Sequence, residues 1–278
     1  MNTNNKSSDL EQAYSPSTAA RCYERTVQLY ASQSEQALHR YPNRQIAYGL
    51  TDEEYVLLFE PGHGAPKAVL VFIHGGYWQA LSAFDACFMA GPFLQHDWAY
   101  AAVNYTLAPR ASIAEMITQC AAAILAIHQQ HPGLPIVVAG SSAGAHLCAM
   151  MMHVDWKGLG TPSCPIHAGL LISGIYDLRP LVETYINEPL HLDVRSATGL
   201  SPGLQRATTP FPVTVCYGEH ETEAFKLQSE TYSNYLLEQG VSIGCYQIND
   251  VDHFDILFEF DKPDSQLLSV TLASLKLK

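Results

Sequence analysis

Apolar residues along this chain arrive in short unbroken runs rather than in alternation with polar ones, and that pattern predicts a parallel sheet. The runs VLVFI at 69–73, WAYAAV at 98–103, PIVVA at 135–139, AGLLI at 168–172 and PVTVCY at 212–217 are bounded by turn residues and lack a polar face, as strands buried on both sides do. YVLLF at 55–59 and a run at 241–247 predict further strands. Helical spacing over 82–95, 112–130, 143–153, 223–239 and 263–276 supplies the crossovers of right-handed βαβ units. An earlier helix is predicted over 18–38, where Ala19, Cys22, Val27, Leu29 and Tyr30 recur at helical intervals. The expected fold is α/β: a doubly wound, mostly parallel sheet with helices on both faces, in one domain over 1–278 with a helical leader at 1–47. Residues 174–211 break the rhythm. They hold Pro180, Pro189, Pro202 and Pro210 and are too long for a simple loop, so a small partial cap over the sheet edge is expected there.

Composition narrows the function. Hydrophobic residues make up 47% and charged residues 15% of the 278, enough apolar material for a core and too little charge for a disordered chain. The net charge of −12 argues against a surface that neutralises phosphate, so neither nucleic acid nor an anionic membrane is an expected partner. The polar start lacks the apolar region of a signal peptide, and no later stretch is long and apolar enough to span a bilayer. The seven cysteines are odd in number, scattered, and contain no C-x-x-C pair, which suits core thiols in a reducing compartment. A cytoplasmic monomer or homodimer acting on a small-molecule substrate is expected.

Two motifs carry chemistry. The run 135–139 leads into Gly140-Ser141-Ser142-Ala143-Gly144, followed by the helix formers AHLCAMMM. This is G-x-S-x-G between strand and helix, where glycine is needed at both ends because the nucleophile sits on a sharp turn pressed against neighbouring backbone. The second is His74-Gly75-Gly76-Tyr77-Trp78, directly after the run 69–73. Its glycines allow backbone N–H groups to face a developing oxyanion, and Ala143, the residue after Ser142, offers another. An ordinary glycine-rich turn and a packed histidine would read the same singly; strand, H-G-G, then strand, G-x-S-x-G and helix in that order favours acyl transfer.

A serine needs a base, which the chain order of such hydrolases puts C-terminal of both serine and acid. Past residue 221 only His253 remains, in a loop after the run 241–247. His146, one turn after Ser142, is expected to support the helix rather than act as base. The acid should follow the run 212–217, within Gly218-Glu219-His220-Glu221-Thr222-Glu223. Glu221 is preferred because it stands where the loop leaves the sheet, with Glu223 and Asp177 as alternatives. Tyr77, Trp78 and Phe254 flank the proposed machinery and could stack on an aromatic leaving group. No metal site is expected, because H-E-x-x-H is absent and His191 with Asp193, or His153 with Asp155, lack a third ligand. No G-x-G-x-x-G follows a strand, so no cofactor is expected.

These segments, together with EQAYSPS near the start, VNYTLAP at 103–109, SGIYDLRPL at 173–181 and YGEHETEAFKLQS at 217–229, resemble the kynurenine formamidase (arylformamidase) branch of the α/β-hydrolases over most of the chain. The resemblance implies an oxyanion hole at Gly75 and Gly76, a triad of Ser142, Glu221 and His253, and cleavage of an aryl formamide through an acyl-serine. Two positions depart from the family pattern: Ser141 stands where histidine is usual, and Glu221 where aspartate is usual. A carboxylesterase on small acyl esters, or a catalytically silent binding module, are the alternative expectations.

Overall fold

A computed structural model describes residues 9–276; the first eight residues of the expected leader lie outside the described residues. Eight strands form one sheet: β1 (Asn43–Ala47), β2 (Tyr55–Phe59), β3 (Ala68–Ile73), β4 (Trp98–Val103), β5 (Ile136–Ser141), β6 (Ile166–Ile172), β7 (Val213–Gly218) and β8 (Ile243–Ile248). Their order is β1-β2-β4-β3-β5-β6-β7-β8, with β1, β2 and β4 paired antiparallel and β4 onward parallel. The central strands β3, β4, β5 and β7 are buried at every residue, which is why they read as continuous apolar runs. Alternate side chains nevertheless serve different cores. Val69, Val71 and Ile73 of β3 join one apolar cluster, and Leu70 and Phe72 the other.

Helices cover both faces. Helices α1 (Tyr23–Arg40), α2 (Ala90–Gln95) and α7 (Gln266–Ala273) lie on one side with Tyr30, Phe93 and Leu267 in its core. Helices α3 (Ile113–Gln130), α4 (Ala143–Met150) and α6 (Glu223–Glu238) lie on the other with Ile124, Leu147 and Phe225. Ser112 and Glu115 start α3 as a reciprocal capping box.

Three predicted helices differ in form. The helix expected over 18–38 begins at Tyr23, after a 3-10 turn at Pro16–Thr18 and a non-helical Cys22 at φ −156° and ψ 63°; the Arg21 N–H just before it donates to the Asp252 carboxylate at 2.9 Å. The one expected over 82–95 is a 3-10 turn, Phe84–Met89, followed by α2. Pro92, with no N–H to donate, is tolerated in the first turn of a new helix but not in the interior of a long one. The C-terminal helix starts only at Gln266, where Ser265 Oγ accepts from Leu268 N at 3.3 Å, and a 3-10 stretch, Asp255–Asp261, precedes it.

Residues 174–211 fold into 3-10 turns (Arg179–Glu183, Tyr185–Asn187, Pro202–Leu204) and the short helix α5 (Val194–Gly199). Leu178, Leu181, Ile186 and Ala197 of this segment enter the core beside α4.

Candidate active site

The carboxyl ends of β3, β5, β6 and β7 meet at one rim, where open α/β sheets present their sites. The register pairs Ile73 with Gly140, so the residues following each, His74-Gly75 and Ser141-Ser142, lie side by side. Ser142 stands between β5 and α4 at φ 57° and ψ −120°, a left-handed conformation that costs a non-glycine residue about 1–3 kcal/mol. The flanking glycines make that turn possible. A Cβ on Gly140 would lie 2.4 Å from the Gly144 carbonyl carbon, and one on Gly144 would lie 2.0 Å from Ile73 O.

The H-G-G turn approaches just as closely, for a Cβ on Gly75 would lie 2.8 Å from Ser141 O and 3.1 Å from Ser142 Cβ. Among the described residues the N–H groups of Gly75, Gly76 and Ala143 donate to no protein acceptor. His74 holds the turn from behind. Its Nδ1–H donates to Gly75 O at 3.0 Å, its ring stacks on Tyr105 with centroids 4.3 Å apart, and the Tyr105 hydroxyl donates to His74 O at 2.9 Å. Burial pushes the His74 imidazole down to about 4, so it is neutral and keeps this tautomer.

His253 sits in the loop after β8, 3% exposed, with its Nδ1 2.9 Å from Glu221 Oε2. The other carboxylate oxygen of Glu221 accepts from Ser173 Oγ and from Gly218 N, both at 2.6 Å. One oxygen is thus fixed by two donors and the other faces the imidazole. A carboxylate opposite Nδ1 requires the proton on that nitrogen, which leaves Nε2 with a lone pair. The other two acid candidates are engaged elsewhere: Glu223, 90% exposed at its side chain, pairs with Lys226, and Asp177 pairs with Arg179. Phe225 and Phe254 box the His253 ring edge-on at 4.4 and 5.1 Å.

Ser142 and His253 line the same cavity; among the described residues no direct hydrogen bond joins them, as is common before substrate binds. The cavity encloses about 190 Å³, more than the roughly 150 Å³ that accommodates benzene. Gly75, Gly76, Tyr77, Ser141 and Phe254 line it. Trp78, expected beside a leaving group, does not. It is fully buried against the edge of the His146 ring at 5.1 Å, because the chain turns at positive φ at Tyr77 and Trp78 and sends the indole inward. Ala143 is buried at the start of α4. His146 donates from Nε2 to Leu200 O at 2.7 Å, tying α4 to the 174–211 segment.

Sequence reasoning missed several contributors. Ser173, itself fully buried at φ 55°, holds the Glu221 carboxylate. Asp252 orders the His253 loop by accepting from Phe254 N and Asp255 N at 2.8 and 3.0 Å, while Asp255 accepts from Asp252 N. The N-terminal segment forms much of the roof. Tyr23, Val27 and Tyr30 line the cavity, Tyr30 donates its hydroxyl to Phe254 O, Tyr77 donates to Tyr14 O at 2.5 Å and Thr222 to Ala13 O at 2.7 Å. From 174–211 Tyr185 alone among the described residues lines the cavity. A tyrosine-rich N-terminal helix and the EQAYSPS segment were the available signals.

Comparison with known proteins agrees with this architecture. A family model described as BD-FAE matches residues 57–158. Kynurenine formamidase of Danio rerio is 33% identical over 219 residues, covering 76% of this chain and 74% of that one. The Salmo salar kynurenine formamidase is 32% identical over 236 residues, 82% of this chain and 80% of the relative. A crystal structure from a Silicibacter species, provisionally described as a thioesterase, superposes with a TM-score of 0.85 at 29% identity over 95% of this chain and 98% of that one. The sheet order, the helices on both faces and these relatives together make the chain a hydrolase of the α/β-hydrolase fold that belongs to the kynurenine formamidase family.

Proposed function

We propose that this protein hydrolyses the formamide of a single-ring aryl amine, N-formylkynurenine-like, through a formyl-serine intermediate. The observation that carries this reading is the Glu221–His253 pair, with Nε2 left free to accept a proton in a cavity that Ser142 shares. Ser142 Oγ attacks the formyl carbon as His253 Nε2 takes its proton. The oxyanion accepts hydrogen bonds from the N–H groups of Gly75 or Gly76 and of Ala143. Glu221 holds the imidazole tautomer and stabilises the imidazolium. His253 then returns the proton to the leaving nitrogen, so the C–N bond breaks to release a neutral aryl amine. His253 Nε2 then deprotonates a water that attacks the formyl-serine, and it returns that proton to Ser142 Oγ as the acyl C–O bond breaks and formate leaves.

The ring walls at Tyr23, Tyr30, Tyr77 and Phe254 suit an aryl leaving group. The seven free thiols support a reducing, cytoplasmic setting. We read residues 174–211 as a small cap on one domain. The Silicibacter relative, described as a thioesterase, favours a second reading, hydrolysis of an ester or thioester, as by a carboxylesterase on small acyl esters, with the same Ser142, Glu221 and His253.

Comparing kcat/KM for N-formylkynurenine with that for short p-nitrophenyl esters tests the choice. Formamide cleavage that Ser142→Ala abolishes is expected; cleavage of esters alone overturns the formamidase reading.

A further inference from the structure

Resting on that reading, the cavity also carries a charge that the bond-breaking steps do not use. Asp85 lies on the 3-10 turn Phe84–Met89, which follows the H-G-G segment in the chain, and lines the cavity together with Ala86 and Met89 of the same turn. The side chain is half-buried, receives Ser82 Oγ–H on Oδ2 at 2.8 Å, and among the described residues forms no ion pair. Among the residues lining the cavity Asp85 is the one carboxylate, and no Lys or Arg joins it. Its charge is felt in the interior, where burial first and then Asp85 push the Cys87 thiol up to about 12. An acidic group in the first turn also suits a helix N-terminus, but that role does not require it to face the substrate cavity.

A half-buried carboxylate in an aromatic-walled cavity whose lining offers no Lys or Arg attracts a cation brought by the ligand. We propose that Asp85 is a specificity-determining residue that binds the substrate's ammonium, so that an aryl formamide carrying one is cleaved in preference to its neutral counterpart. A substrate carboxylate meets no matching side-chain cation among the lining residues, so arylalkyl ammoniums without one bind at least as well as the zwitterions.

The test compares kcat/KM for an aryl formamide with an alkyl ammonium against its neutral, ammonium-free counterpart in wild type, Asp85→Asn and Asp85→Glu. Asparagine keeps the size and the acceptor for Ser82. The cationic-to-neutral ratio is expected to fall at least tenfold in Asp85→Asn and to stay within about threefold in Asp85→Glu. An unchanged ratio in Asp85→Asn overturns the proposal. Equilibrium binding of phenethylammonium and of 3-phenylpropionate by calorimetry gives a readout independent of the reaction. Wild type should bind the ammonium at least tenfold more tightly, and Asp85→Asn should lose that margin; equal affinities in wild type overturn the proposal. If wild type cleaves neither formamide, the formamidase reading fails while the binding comparison still decides the role of Asp85.

Discussion

Replacing Glu221 by glutamine exchanges one oxygen for an NH2 and leaves the shape of the side chain unchanged, yet the surroundings dictate which way the amide points. Ser173 Oγ and Gly218 N both donate to Oε1 at 2.6 Å, so the glutamine oxygen must occupy that place and its NH2 must face His253. The imidazole then accepts at Nδ1 and carries its proton on Nε2, the wrong tautomer for taking a proton from Ser142. Restoring the active tautomer means turning the amide over and leaving two buried donors without an acceptor, at about 1–3 kcal/mol each. That total of about 2–6 kcal/mol corresponds to a loss of about thirtyfold to more than ten-thousandfold in kcat, at about 1.4 kcal/mol per factor of ten. Because the resting hydrogen bonds survive, Tm should move by no more than a few degrees. Single-turnover formamide or ester hydrolysis, read beside thermal unfolding, measures both. A Glu221→Gln variant that keeps more than a tenth of wild-type kcat with an unchanged Tm refutes the assignment of the acid.

Further outcomes follow from the same geometry. Ser173→Ala removes a charge-assisted bond of about 1.5–3 kcal/mol from a carboxylate that keeps Gly218 N–H, so kcat should drop about tenfold to a hundredfold with KM steady, and the His253 Nδ1 proton resonance should shift; a resonance that does not move shows Ser173 to be passive. Gly75→Ala places a methyl 2.8 Å from Ser141 O and should lower kcat about a hundredfold by displacing one oxyanion donor, checked by steady-state kinetics. Burial pushes the His74 and His146 imidazoles down to about 4, below the ordinary value of about 6.5. The unfolded chain therefore binds more protons between those limits, and stability, full above about pH 6.5, is lost as pH falls toward 4 at up to about 1.4 kcal/mol per unit for each histidine. Urea unfolding across that range checks the slope, and His146→Gln should flatten it.

The strands were legible because β3 to β7 are covered on both faces, which turns each into an unbroken apolar run. Their order was not, since nothing in the run at 98–103 says that β4 lies outside β3. The tight turn at Ser142 was legible because Gly140 and Gly144 answer to backbone contacts that leave no room for a side chain. The carboxylate that faces His253 was ambiguous because Glu219, Glu221 and Glu223 are chemically alike. What distinguishes Glu221 comes from elsewhere in the fold, the Ser173 hydroxyl at the end of β6. Trp78 was misplaced because sequence adjacency to the H-G-G turn does not tell on which side a positive-φ residue sends its ring. The N-terminal roof was illegible for a related reason. Its clips, Thr222 to Ala13 and Arg21 to Asp252, join positions 209 and 231 residues apart, and no local pattern encodes them.

The central claim is that Ser142 is the nucleophile activated by His253 and Glu221. Intact mass spectrometry after treatment with a fluorophosphonate, followed by peptide mapping, tests it most directly. One adduct on the peptide containing Ser142 is predicted, absent from Ser142→Ala and slowed at least a hundredfold in His253→Ala. No adduct on the native protein, or one that persists in Ser142→Ala, contradicts it.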